Sequence, residues 1–370
     1  MSKIINLKEV FIIIAYFIFM YLLYLKLGII EINEAEKYIQ ASRAIIDGEI
    51  TNTLKQHFFY SSYILFLTLI FQIGSIKTAV IAQLLLNILA AICLKKSTNF
   101  ILGNKYWGQF AQICFLFCIP IQTWALTLFS DNFFVCIICM TLYYSLKHKT
   151  KTDLLIWLTL CLLLTFSRPP GIFFTYCFLF YYLYQLQFLK PLFFYSLAIL
   201  SIAFIFFLLF TTEVETKGYI KPIAAGAVIV DKPDYNIPEF NDRQKETLSH
   251  TYTYLYNKHG FSFITTLYYK KVKSFFSFTR PYYSTAHNFI LIANYILYPL
   301  AIAGFIFLYR NSQKSTATLL LMLIIFAANL TGLTYNEWHY RFTLSIFPAL
   351  ILLSVIGINF LFNSKKQKTQ

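Results

Sequence analysis

Three acids, Glu31, Glu34 and Glu36, follow directly on a long apolar run, and Tyr38 stands one helical turn beyond Glu34. A carboxylate at the edge of a bilayer can take a proton from a reacting hydroxyl, help hold a metal, or simply keep a loop in solvent. Asp131, Arg168, His339 and Arg341 also stand at the ends of apolar runs. A guanidinium stays protonated and grips phosphate oxygens in a bidentate manner, so Arg168 and Arg341 are candidates to receive a phosphate that gains charge as it leaves. Glu34 is the candidate general base. Asp131 can orient an acceptor, hold Arg168 or help bind a divalent cation, and no metal-ligand spacing in the chain decides among these.

These residues need elements that carry them to one face of a membrane. Of the 370 residues, 58% are hydrophobic and only 13% charged, with apolar runs recurring throughout. Runs apolar all round are covered by lipid or by other helices, and the class implied is an all-α integral membrane protein. The first run has no small-residue cleavage site and reads as a retained span. Apolar segments lie at 10–28, 78–94, 109–128, 132–146, 152–166, 172–189, 191–210, 288–308, 317–334 and 343–362, about ten transmembrane helices. Short loops rich in Lys, such as those at Lys95–Lys96 and Lys147–Lys151, belong inside, which leaves both termini cytoplasmic. Segment 58–74 would reverse that alternation if it crossed, so it is expected to lie in the outer interface or to re-enter.

The outer face then receives the first loop at 31–57, the corners at 130–131 and 167–171, a long loop at 211–286, and 335–341. The chain divides accordingly into a module at 1–210, the long loop, and C-terminal helices at 287–370. In that loop Lys258, Lys270, Lys271, Lys273 and Arg280 alternate with Tyr and Phe, as amphipathic helices on a leaflet do, with cations reaching lipid phosphates. Lys270 and Lys271 are candidate substrate-binding residues there, and membrane lipids are expected partners. The net charge of +15 is scattered over membrane loops rather than gathered on one domain, which argues against nucleic acid.

Four places in the chain resemble the GT-C superfamily of polyprenyl-phosphate-sugar-dependent glycosyltransferases, which includes protein O-mannosyltransferases and the lipid A aminoarabinose transferase. They are Glu34, Tyr38, Ala41 and Gly48 after the first span; Ser130-Asp131-Asn132; Arg168-Pro169-Pro170-Gly171; and His339-Tyr340-Arg341 ahead of Pro348. The first-loop acid of that family is usually Asp, so Glu34 is a departure, and Glu31 and Glu36 stand close enough to serve instead. The resemblance implies a GT-C-like polytopic bundle with its active site on the outer face of a bacterial cytoplasmic membrane. It implies transfer of a sugar from a polyprenyl-phosphate donor to a lipid, glycan or protein acceptor, with inversion at the anomeric carbon. Glu34 and Asp131 would be catalytic, and Tyr38, Arg168, His339 and Arg341 would bind substrate. No cofactor is certain, and a divalent cation is used by some relatives.

Structural uses exist for each residue. Glu34 can be a first-turn acid favoured by the helix dipole, Asp131 a helix cap, Arg168 a snorkelling cation, and His339 with Arg341 part of an aromatic belt. A polysaccharide polymerase or a lipid-linked glycan flippase also presents many spans and basic residues. Transporters usually keep ionisable groups near the midplane and carry paired half repeats, neither of which is visible here. The seven Cys fall inside apolar segments as small hydrophobes, and no nucleotide-binding Gly-rich loop occurs.

Overall fold

The computed structural model of the chain describes residues 7–147, 150–185, 203, 206–208, 210–215, 220–230, 236–241, 244–334, 336–337 and 341–367. About 81% of it is helical, and five helices are long and apolar enough to cross a bilayer: Leu7–Leu27, Ile76–Leu102, Thr285–Arg310, Lys314–Leu333 and Thr343–Phe362. The chain is an all-α membrane protein. In chain order the helices are α1 (Leu7–Leu27), α2 (Glu34–Ile46), α3 (Ile50–Gln56), α4 (Ser61–Ile73), α5 (Ile76–Leu102), α6 (Lys105–Leu116), α7 (Ile119–Ala125), α8 (Ser130–Lys147) and α9 (Lys151–Thr165). They continue as α10 (Gly171–Gln185), α11 (Lys221–Ala224), α12 (Leu248–His259), α13 (Phe261–Phe275), α14 (Thr285–Ile292), α15 (Leu297–Arg310), α16 (Lys314–Leu333) and α17 (Phe347–Gln367). Three 3-10 turns (Phe58–Tyr60, Ala293–Ile296 and Thr343–Ile346) and four short strands, β1 (Glu213–Glu215), β2 (Ile229–Val230), β3 (Lys245–Thr247) and β4 (Asn336–Glu337), accompany them.

Two compact units emerge. The first takes Met1–Phe178, Leu297–Leu320 and Leu344–Gln370, and the second takes Leu179–Ile296 and Leu321–Thr343. These borders differ from the divisions at 210 and 286 drawn on hydropathy, because α10 and α16 each pass from one unit into the other.

Helix α8 is the axis of the first unit, with every residue from Ser130 to Cys139 buried. It runs parallel to α5: the Cys136 thiol reaches Asn87 Oδ1 at 3.2 Å, and further along Lys96 stands 5.5 Å over the Tyr143 ring. Helix α1 runs antiparallel to α5, since an ion pair joins Glu9 to Lys95 at one end while Tyr24 and Gly28 share a cavity with Ser75 and Ile76 at the other. The bundle therefore has a Glu9 end and an Asp131 end.

Helix α4 begins and ends at the Asp131 end. The Ser62 N–H donates to the Phe166 carbonyl at 3.0 Å near its start, and Gly74 after its last residue lines the cavity with Gly28. Its 13 residues extend about 20 Å, against the ~30 Å of a hydrocarbon core.

One expected span is broken. Segment 109–128 forms α6 and α7 with a bend between them, because Pro120 lacks an N–H to continue the ladder. The Gln122 side chain mends the gap, donating to the Phe115 carbonyl at 3.0 Å and accepting the Tyr16 hydroxyl at 2.8 Å. Segments 132–146, 152–166 and 172–189 appear as α8, α9 and α10, of 18, 15 and 15 residues, while most of 191–210 lies outside the described residues.

Helices α15 and α17 pack backbone to backbone. A Cβ on Gly304 would strike the Leu353 carbonyl, one on Gly357 would strike the Leu300 carbonyl, and Ser354 donates to the Leu297 carbonyl at 2.9 Å. Small residues permit such close approach between apolar helices. Gly357→Leu is expected to lower the thermal midpoint of the detergent-solubilised protein, at a cost of ~1–3 kcal/mol. Phe362→Leu on an exposed part of α17 is expected to leave the midpoint in place.

In the second unit α12 and α13 occupy the stretch where amphipathic helices were expected, and they share a core. Ile220, Ile223, Phe240, Leu248, Leu255 and Leu267 form a core of its own, joining α11, α12 and α13. Strand β1 pairs antiparallel with β3, and β2 pairs parallel with β4.

Candidate active site

At the Asp131 end of the first unit the chain leaves α1 and pairs briefly with the segment ahead of α8. Ile30 N–H donates to Leu126 O at 3.1 Å, and Leu128 N–H donates to Ile30 O at 3.3 Å, forming a parallel bridge between Ile30 and Thr127. This bridge ties the acidic loop to the corner from which Asp131 enters α8. The second corner is set by Pro169 and Pro170, which cannot extend the ladder of α9. Gly171 fits against the Leu164 carbonyl where a Cβ would collide, so the chain folds back tightly enough to aim Arg168 into the bundle.

Arg168 and Asp131 meet there as an ion pair, with side chains 6% and 0% exposed. Of the roles open to Asp131, holding Arg168 is the one the geometry displays. The Arg168 guanidinium is therefore buried and turned toward Asp131.

Glu34 begins α2, and its carboxylate accepts the Tyr38 hydroxyl at 3.3 Å across one turn. The Tyr38 ring meets Tyr63 edge-on at 5.4 Å, and Tyr63 in turn lies 5.7 Å from Phe133, two residues from Asp131. Burial, and after it the Asp131 charge, push the Tyr63 phenol well above its ordinary pKa, so it acts as a donor, to Gln83 Oε1 at 3.2 Å. Gln83 Nε2 donates to the carbonyls of Ala125 at 3.1 Å and Thr127 at 3.2 Å, closing the link to the bridge. Glu34, Tyr38, Asp131 and Arg168 thus belong to one connected assembly in one unit. Of its connectors, Tyr63 reads in the sequence only as an interfacial aromatic of segment 58–74, and Gln83 carries no signal because an apolar helix hides an isolated polar residue.

Beside this assembly a cavity of about 700 Å³ opens between the ends of α1, α2, α4 and α5. Its charged walls are Glu31, Arg43 and Lys77. Arg43, in the last turn of α2, carries no signal in the sequence beyond being a cation near an acidic corner.

The remaining candidates lie in the second unit or beyond the described residues. His339 is outside them. Arg341 is buried, and Lys270 is exposed. Lys271 and Arg280, expected to reach lipid phosphates, turn inward: Lys271 Nζ donates to the Thr334 carbonyl, and Arg280 donates to the carbonyls of Ser274 at 2.9 Å and Ser277 at 2.6 Å. Both donate to carbonyls at or just past a helix end, where the ladder no longer supplies every carbonyl with a donor. Tyr252 adds a bond to Leu333 O at 2.8 Å, so α12 and α13 together clasp the end of α16.

Burial pulls the Lys271 ammonium down from its ordinary range to about 7. Between that value and the ~10.4 of an unfolded lysine, the unfolded chain binds more protons than the folded one, and stability rises with pH. Hydrogen-exchange protection of α13 is expected to strengthen by about 1–2 kcal/mol from pH 7 to 8.5. Lys271→Met should remove that slope while retaining the helix.

Among the described residues no group of three or more His, Cys, Asp and Glu side chains gathers to hold a metal, and the Asp131 carboxylate carries Arg168 instead. No family model, no curated protein and no solved structure matches the chain.

Proposed function

We propose that this membrane protein is a glycosyltransferase that moves a sugar from a polyprenyl-phosphate-linked donor to a lipid, glycan or protein acceptor. It would do so at the outer face of a bacterial cytoplasmic membrane, as a multi-pass protein with the Asp131 end outward. The observation that carries this reading is the convergence of Glu34, Tyr38, Asp131 and Arg168, from three separated stretches of chain, at one end of the first unit.

In the reaction an acceptor hydroxyl attacks the anomeric carbon while the bond from that carbon to the donor phosphate breaks. The electron pair leaves with the phosphate, and the hydroxyl proton passes to the Glu34 carboxylate. Tyr38, bonded to Glu34, orients that carboxylate. Arg168, fixed by Asp131, contributes positive charge near the leaving group without a change of place, as preorganised electrostatic stabilisation requires.

The test is transfer of labelled sugar by the full-length protein in liposomes, from a panel of polyprenyl-phosphate sugars to membrane lipid and glycan acceptors. Protein-dependent transfer from at least one donor is the expected result. Silence across the panel from protein that unfolds cooperatively would end the transferase reading in favour of a polymerase or a flippase.

A further inference from the structure

The cavity between the ends of α1, α2, α4 and α5 has a composition that the reaction above does not use. Arg43 and Lys77 face it from two different elements, and among the described residues neither forms an ion pair. Glu31 stands on the same wall, leaving one positive charge in excess. Tyr24, Ile29 and Phe71 supply apolar surface between the charges. A guanidinium fork and a point-charge ammonium converging on one space are the donor set that phosphate oxygens fill. The volume of about 700 Å³ is several times what a phosphate needs and suits a head with an adjoining group.

The surroundings say what the rest of the ligand is. On α1, the helix that supplies Tyr24, the residues Tyr21, Leu22 and Leu25 are large, apolar and exposed, and Ile73 at the end of α4 is the same. In a membrane helix such residues meet lipid, so an acyl or prenyl chain can leave the cavity along them without entering water. A free inorganic anion would gain nothing from that track.

We propose that this cavity binds the monophosphate head of a membrane amphiphile, held by Arg43 and Lys77, with its chain lying along α1. Glu31 repels the phosphate and accepts a hydrogen bond from a hydroxyl beside it, which biases the site towards heads that carry one. The site stands on the cavity and its charges, and a carrier of lipid phosphates without transferase activity would need it equally.

The full-length protein in phosphatidylcholine nanodiscs, titrated with a long-chain alkyl monophosphate and followed by native mass spectrometry, gives the test. Retention is expected, with the alcohol of the same chain length and inorganic phosphate both far weaker. Arg43→Gln and Lys77→Gln should each weaken retention about tenfold or more, while Lys105→Gln, a cation at the opposite end of the bundle, should not. Glu31→Gln should tighten retention, a gain that a damaged fold cannot imitate. Equal retention by both cation variants, equal binding of the alcohol, equal competition by inorganic phosphate, or an equal loss in Lys105→Gln would each overturn the proposal. Because binding is read without turnover, it can fail while sugar transfer succeeds, and the reverse.

Discussion

Glu34→Gln is expected to reduce sugar transfer by ~10²–10⁴-fold, the usual contribution of a positioned general base, with donor retention unchanged. The substitution is nearly isosteric. An amide oxygen can still accept the Tyr38 hydroxyl that the carboxylate accepts at 3.3 Å, so the start of α2 keeps its anchor. What disappears is only the capacity to take a proton. Single-turnover transfer and donor binding, measured on the same preparation, separate that loss from a loss of affinity. Transfer at the native rate would remove Glu34 from the role and pass it to Glu31, which faces the open cavity, to Glu36, or to Asp131.

Arg168→Met should be the most destabilising single change in the first unit, because it leaves the Asp131 carboxylate charged and fully buried without its counter-ion. Breaking one side of a buried pair typically costs ~3–5 kcal/mol, whereas replacing both members by uncharged groups of similar volume is often neutral. The double variant Asp131→Asn with Arg168→Met should therefore recover most of the thermal midpoint lost by Arg168→Met. Its transfer activity should stay low, since the fixed positive charge is gone. Recovery of both stability and transfer would reduce the pair to a brace.

The membrane class and most helix positions were legible because a bilayer demands long apolar runs, and α1, α5, α16 and α17 fall where hydropathy places spans. The break between α6 and α7 was missed, although Pro120 was in plain view, because hydropathy averages across a bend. In the site, the residue types at the corners were readable, and so was one of the partners open to Asp131. The cage between Glu34 and Asp131 was not, since Tyr63 and Gln83 reach it by folding rather than by spacing. In the basic and aromatic loop α12 and α13 fall where helices were expected, but two of its cations do not face outward. Alternation of Lys with Tyr does not say which cations turn into the protein, and only the contacts of Lys271 and Arg280 show that these two do.

The first unit is assembled from discontinuous chain, and that has a cost in time. Helix α17, buried along most of its length, packs on α5, α6, α8 and α15, yet it begins only at Phe347. Ribosomes add ~5–20 residues per second, so the early helices wait ~8–35 s between the appearance of Phe178 and that of the helix that covers them. Throughout that interval the side of α8 destined for α17 faces lipid or an assembly factor. A nascent chain halted between residues 178 and 344 should be the form most readily degraded, and the segment from Phe347 onward would then govern how much protein the cell keeps.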